Sequence, residues 1–187
     1  MKRHTMVRGW NWYRLLKRLN ILSRKWNIKA IIKEIVIGAL LLFILSNIIS
    51  YIRKPELSSE LLPKIDAVLL DGNSYSIKEG RPLVIHFWAT WCPTCKLEAS
   101  NIQSVSEKYE VLTVAVNSGE DAKIKEYMRK KGLTFNVLND SNGKWAEQFK
   151  VEAFPTTFIY NSTAKLKFTE VGYTTTAGLL ARLTMID

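Results

Sequence analysis

The sequence predicts an α/β domain tethered by one N-terminal transmembrane helix. Three observations carry this. From residue 62 onward, short apolar runs alternate with amphipathic stretches, the pattern of strands and helices packed in layers. The run Leu83-Val84-Ile85-His86-Phe87-Trp88 leads into Cys92-Pro93-Thr94-Cys95, and an amphipathic stretch, residues 96–109, leads out. Residues 35–52 carry no charge, a length that spans a bilayer near the lower limit.

The elements follow in order. Residues 10–29 mix Trp10, Trp12, Tyr13 and Trp26 with basic residues, and Leu15, Leu16, Leu19 and Leu22 recur at helical spacing. Two readings stand: an amphipathic helix on an anionic membrane surface, or a disordered basic tail that sets topology. The span at 35–52 competes with a cleaved signal peptide, but no small-x-small pair follows it and its apolar run exceeds a usual signal core. An uncleaved anchor is therefore expected. Residues 53–61 form a polar linker with Pro55, Ser58 and Ser59. Residues 67–70 and 75–77 flank Asp71-Gly72 and read as a hairpin. Residues 83–88 and 111–116 are buried strands, apolar on both faces as in a sheet covered by helices. A helix at 121–130 closes at Gly132. A short strand at 135–138 and a short helix at 144–149 follow. Residues 156–160 and 166–171 make a final hairpin, and 174–185 is a last helix capped by Thr residues. The domains are thus a basic segment at 1–34, the anchor at 35–52, the linker at 53–61 and the α/β domain at 62–187.

Charge sets the topology and removes one class of function. The chain of 187 residues has a net charge of +10. Residues 1–34 hold ten Lys/Arg against Glu34, a balance of +9, so the rest carries +1. The high pI describes a tail, and a nucleic-acid partner is not expected. Ten basic residues precede the span and only Arg53 and Lys54 follow it directly. The positive-inside rule places the N-terminus in the cytoplasm and the domain outside. In a bacterium this is the inner membrane with the domain in the periplasm, where disulfides form and break.

Cys92 and Cys95 are the only cysteines. One helical turn brings their sulfurs together, with Cys92 just before the helix and Cys95 in its first turn. Unpaired N–H groups at a helix start stabilise a thiolate, the species that attacks disulfides. Two blander readings compete. Zinc generally takes four ligands, and even with His86 the pair makes three. A static disulfide closing so short a loop constrains the unfolded chain little. Dithiol redox chemistry is the expected use.

Strand, Trp91-Cys92-Pro93-Thr94-Cys95, helix, and a later Phe154-Pro155-Thr156-Thr157 before a strand together resemble the thioredoxin superfamily. Within it, the anchor, the early hairpin, the insert at 119–149 and the Cys92, Cys95, Glu98 spacing are similar to the membrane-anchored TlpA/ResA-like proteins. The phrase at 86–95 and Glu98-Ala99-Ser100-Asn101 resemble the protein disulfide oxidoreductases similar to suppressor for copper sensitivity protein D. The resemblance covers residues 62–187. It implies a thioredoxin-like fold, a central mixed sheet flanked by helices with an N-terminal hairpin and a TlpA-type insert. It also implies that Pro155 is cis and that Phe154, Pro155 and Thr156 meet an extended substrate strand. The sequence departs where the thioredoxins carry a buried Asp, here His86, and where their Gly-Pro is Pro93-Thr94. Phe154 also replaces a commoner Ile, Val or Thr.

The expected roles follow. Cys92 is the nucleophile, as the more exposed sulfur, and Cys95 resolves the mixed disulfide. Pro93 and Thr94 shape the turn and set the potential, and Trp91 forms part of the docking surface. Trp88 belongs to the core. Glu98 is either a buried base for Cys95 or a solvated first-turn carboxylate. His86 is either a proton relay or a core histidine. The expected enzyme is a protein disulfide oxidoreductase, with reduction favoured over oxidation and no cofactor. Its partners are extracytoplasmic protein thiols and disulfides and a membrane thiol relay. The alternative is a copper-handling module using Cys92, Cys95 and His86.

Overall fold

The computed structural model describes residues 28–52, 55, 61–78 and 80–186. The chain divides into two compact units, residues 1–46 and 47–187. Helix α1, Ile28–Ile52, starts seven residues before the expected span. Ile28, Ala30, Ile31 and Ile32 continue the apolar pattern between Lys29, Lys33 and Glu34, so the helix does not stop at the charges. Lys29–Ile49 is long and apolar enough to cross a membrane; at 1.5 Å per residue its length matches a hydrocarbon core of about 30 Å. Leu41, Leu42 and Phe43 are exposed on it. The basic, aromatic stretch at 10–29 lies, up to residue 27, outside the described residues, as does most of the linker.

The α/β domain is built on a five-stranded sheet in the order β5-β4-β3-β6-β7. Strand β1 (Ala67–Val68) and β2 (Ser74–Tyr75) form a separate antiparallel hairpin, shorter than expected. Asp71 ties its turn by accepting from the Asn73 N–H and side-chain amide. The other strands are β3 (Leu83–Trp88), β4 (Glu110–Val116), β5 (Asn136–Asp140), β6 (Thr156–Tyr160) and β7 (Leu166–Val171). The helices are α2 (Pro93–Ser106), α3 (Asp121–Lys131), α4 (Lys144–Gln148) and α5 (Thr176–Thr184). β3 pairs parallel with β4 and antiparallel with β6, so the sheet is mixed.

β3 is central because every one of its side chains is buried. Its alternation fills two cores. Val84 and Trp88 pack with Ile102 and Val105 of α2 and Leu179 and Leu183 of α5. Ile85 and Phe87 pack with Val114, Phe149 and Phe158 on the other face. The periodicity that makes β3 a two-sided strand therefore also aims its C-terminal end at the start of α2. α3 ends as expected at Gly132, whose φ of 64° suits a left-handed cap, with Arg129, Lys130 and Lys131 in its last turn. β5 runs two residues past the expected end. There Asp140 turns its carboxylate onto the N–H groups of Trp145 and Ala146 and starts α4.

Candidate active site

Cys92 is the N-cap of α2 and Pro93 occupies its first turn. Proline suits that place, since its missing N–H would have no helical partner. Cys92 and Cys95 form a disulfide with a Cα–Cα distance of 5.3 Å. The Cys95 N–H donates to Cys92 Sγ at 3.1 Å. This is the cap hydrogen bond, with sulfur in the place usually taken by a serine or aspartate oxygen. On reduction the same N–H, with the helix N-terminus behind it, favours a thiolate at Cys92.

Exposure does not separate the two sulfurs as expected. Cys92 retains 4% and Cys95 2% of its surface, because the disulfide folds both under neighbouring side chains. Position separates them instead. Cys92 Sγ lies 3.7 Å from the Phe154 carbonyl oxygen, on the side of the Phe154–Pro155 peptide, which is cis as the resemblance implied. Both cysteines belong to the buried cluster that holds Trp88 and Ile102, and the contact to the Phe154 carbonyl is made by Cys92.

The surface beside Cys92 is formed from three segments. Trp91, 56% exposed, stacks edge-on against Phe154 with ring centroids 5.7 Å apart. Its indole N–H donates to the Asn117 carbonyl at 3.1 Å. The Thr90 N–H donates to Ser118 Oγ at 2.9 Å. The end of β4 thus braces the segment before Cys92. Asn117 holds a φ of 45° there, a conformation that asparagine tolerates better than most residues. A shallow cleft of about 380 Å³ runs beside Trp91, lined also by Thr90, Lys123, Glu126, Tyr127 and Lys130. Pro93 is exposed and Thr94 half-buried beside it. Thr156 is buried, and its hydroxyl donates to the Ala153 carbonyl. The Pro155 carbonyl accepts the Gly172 N–H, so the backbone facing the sulfur belongs to Phe154.

Glu98 lies one turn after Cys95 and is 0% exposed. The solvated alternative is thereby removed. Its Oε1 accepts the Thr174 N–H at 3.2 Å, and Oε2 is buried with no partner among the described residues. Burial raises its pKa to about 8, opposed by that one hydrogen bond. His86 sits on the β3 face that α2 covers and shares a hydrogen bond of 2.9 Å with Thr157 Oγ1. Burial lowers its pKa to about 3, so the ring is neutral at physiological pH. Among the described residues no three His, Cys, Asp or Glu side chains converge as a metal-binding group. Sequence reasoning missed Asn117 and Thr174, which act through backbone groups that residue identity does not reveal, and Ser118, which acts through its hydroxyl.

These two shifts oppose each other in stability. Folded Glu98 keeps its proton up to about pH 8, whereas an unfolded one releases it near 4.5. The folded chain holds more protons between those values, so this contribution falls as pH rises. His86 contributes in the other sense: the unfolded chain gains a proton below about 6.5 that the buried ring refuses down to about 3, so stability is lost as pH falls. Glu98→Gln should therefore gain stability relative to wild type between pH 5.5 and 8.5, by about 1–3 kcal/mol. Denaturant midpoints of the oxidised protein at the two pH values measure it.

The Redoxin family matches residues 57–183. A thioredoxin-like protein of Haemophilus influenzae is 31% identical over 160 residues, covering 81% of this chain and 95% of that protein. Sporulation thiol-disulfide oxidoreductase A of Bacillus subtilis is 31% identical over 127 residues, 62% of this chain and 77% of its own length. The crystal structure of StoA from Bacillus subtilis superposes with a TM-score of 0.58 at 26% identity, covering 65% of this chain and 98% of that one. The chain belongs to the Redoxin family and is a thioredoxin-like thiol–disulfide oxidoreductase of the ResA/StoA type.

Proposed function

We propose that the chain is a membrane-anchored reductase of extracytoplasmic protein disulfides. The observation that carries the chemistry is the seat of Cys92 Sγ between the Cys95 N–H and the Phe154 carbonyl, beside the Trp91–Phe154 surface. In the reduced form the Cys92 thiolate attacks one sulfur of a substrate disulfide. That S–S bond breaks, and the departing substrate thiolate takes a proton. A mixed disulfide joins Cys92 to the substrate. Cys95 then gives its proton to Glu98 and attacks Cys92 Sγ, which releases the second substrate thiol and forms the Cys92–Cys95 disulfide. Two electrons have passed to the substrate. A membrane dithiol restores them with two protons, and is itself oxidised to a disulfide.

The direction is supported by how lightly the Cys92 thiolate is stabilised. Sγ receives one backbone N–H, and His86 is neutral. Strong oxidants owe their potential to a heavily stabilised reduced form. Equilibration with thiol–disulfide buffers should give a potential near that of thioredoxin, about −270 mV; a value near about −120 mV would assign the opposite direction.

The compartment is supported by the ten basic residues before the uncharged span at 35–52 against Arg53 and Lys54 directly after it. A reporter that works only outside the cytoplasm, fused after residue 187, should be active. An inactive reporter would reverse the orientation and take the periplasmic substrates with it.

A further inference from the structure

We infer that Asn101 is a positioning residue for the redox site: it holds the segment between β7 and α5 so that the Thr174 N–H faces the Glu98 carboxylate, and so sets how readily Glu98 accepts a proton. The consequence for catalysis rests on the proposed role of Glu98 as the base for Cys95.

Asn101 stands one turn beyond Glu98 on α2. Its Nδ2 donates to the Thr174 carbonyl at 3.0 Å and to the Tyr173 hydroxyl at 3.1 Å, and its Oδ1 accepts from the Thr176 hydroxyl at 3.1 Å. One side chain therefore binds three residues of a short connection. The pattern needs two donors and an acceptor on one planar group, which an amide has and a carboxylate lacks. The peptide on the other side of Thr174 turns its N–H onto Glu98 Oε1 at 3.2 Å. α2 thus grips Thr174 by both its backbone groups, with Asn101 on the carbonyl and Glu98 on the N–H.

That N–H matters because little else favours the charged carboxylate. On α2 the neighbouring titratable group is Cys95. From β3 it is His86, which is neutral and bonded to Thr157. From α5 the nearest basic side chain, Arg182, is engaged by Glu170 and the Gly178 carbonyl, each at 2.8 Å. Tyr173 directs its hydroxyl to Asn101. Among the described residues, Oε2 has no partner at all. Loosening the segment removes a hydrogen bond that favours the ionised form and raises the proton affinity of Glu98 further.

The test reads the carboxyl itself. The titration of Glu98 is followed by carbon-13 NMR in the oxidised full-length protein in detergent micelles, with the signal assigned by its loss in Glu98→Gln. Asn101→Ala should move the midpoint from near 8 upward by about one pH unit, and Thr176→Val should move it less in the same direction. Resolution of the mixed disulfide at pH 7 should then slow roughly tenfold in Asn101→Ala. Midpoints unmoved in both variants overturn the inference, and a fall in thermal stability without a shift marks a merely structural asparagine. If Asn101→Ala does not fold, Thr176→Val alone decides by the same criterion. A shifted midpoint with an unchanged resolution rate supports the positioning and overturns Glu98 as the base.

Discussion

Replacing Cys95 with serine is expected to arrest the reaction at the mixed disulfide and to lower turnover by at least roughly 10³-fold. The geometry gives the reason. Cys92 Sγ faces the Phe154 carbonyl and the Trp91–Phe154 surface, so a substrate reaches it first. In the proposed mechanism Cys95 serves only to expel the substrate. Serine retains the N–H that caps Cys92 but offers no sulfur to complete the exchange. Adducts to Cys92 should accumulate in an extracytoplasmic extract and disappear on adding dithiothreitol. Cys92→Ser should trap nothing. Adducts that form equally on Cys95 in the Cys92→Ser variant would reverse the assignment of the two sulfurs.

Glu98→Gln is expected to slow resolution on the order of 10²-fold, the lower range for a positioned acid–base group, while leaving attack by Cys92 nearly unchanged. A carboxyl raised to about 8 is ionised in part near neutrality, and its ionised fraction can take a proton from Cys95. The wild-type resolution rate should rise through that pH, and the variant should lose the rise. His86→Ala provides the contrast. A ring whose pKa is lowered to about 3 is a poor base near neutrality and is already engaged with Thr157. Its loss should lower stability and leave the midpoint of the profile in place. A midpoint that moves with His86 and not with Glu98 would transfer the proton to the histidine. Stopped-flow tryptophan fluorescence from pH 5 to 9 separates these outcomes, since Trp91 lies beside the reacting sulfurs.

Much of this site is local in sequence and was legible for that reason. β3, the turn and α2 are contiguous, so hydrophobic alternation and the position of Pro93 fix where Cys92 and Cys95 fall. Pro155 was legible only by resemblance, because the contact of the preceding Phe154 carbonyl with Cys92 spans 62 residues. The boundaries that slipped have local causes. α1 extends back over Lys29 and Lys33 because long lysine side chains leave a helix face apolar near its stem. β5 runs on to Asp140 because that carboxylate both ends the strand and caps α4. Spacing placed Glu98 on the face of Cys95, but its burial comes from the segment between β7 and α5, 76 residues away. The burial of Thr156 was likewise invisible, since its hydroxyl is turned back on Ala153 within its own loop.

The most direct measurement is a stoichiometric exchange. Full-length protein, reduced and freed of excess thiol, is mixed with a protein disulfide such as that of insulin, quenched with acid and alkylated, and each cysteine is identified by mass spectrometry. The expected result is one substrate disulfide lost per chain, with Cys92 and Cys95 joined to each other and a Cys92–substrate adduct seen transiently. Cys92 and Cys95 remaining as free thiols beside intact substrate, across the pH range in which Glu98 titrates, would contradict dithiol exchange as the work of this site.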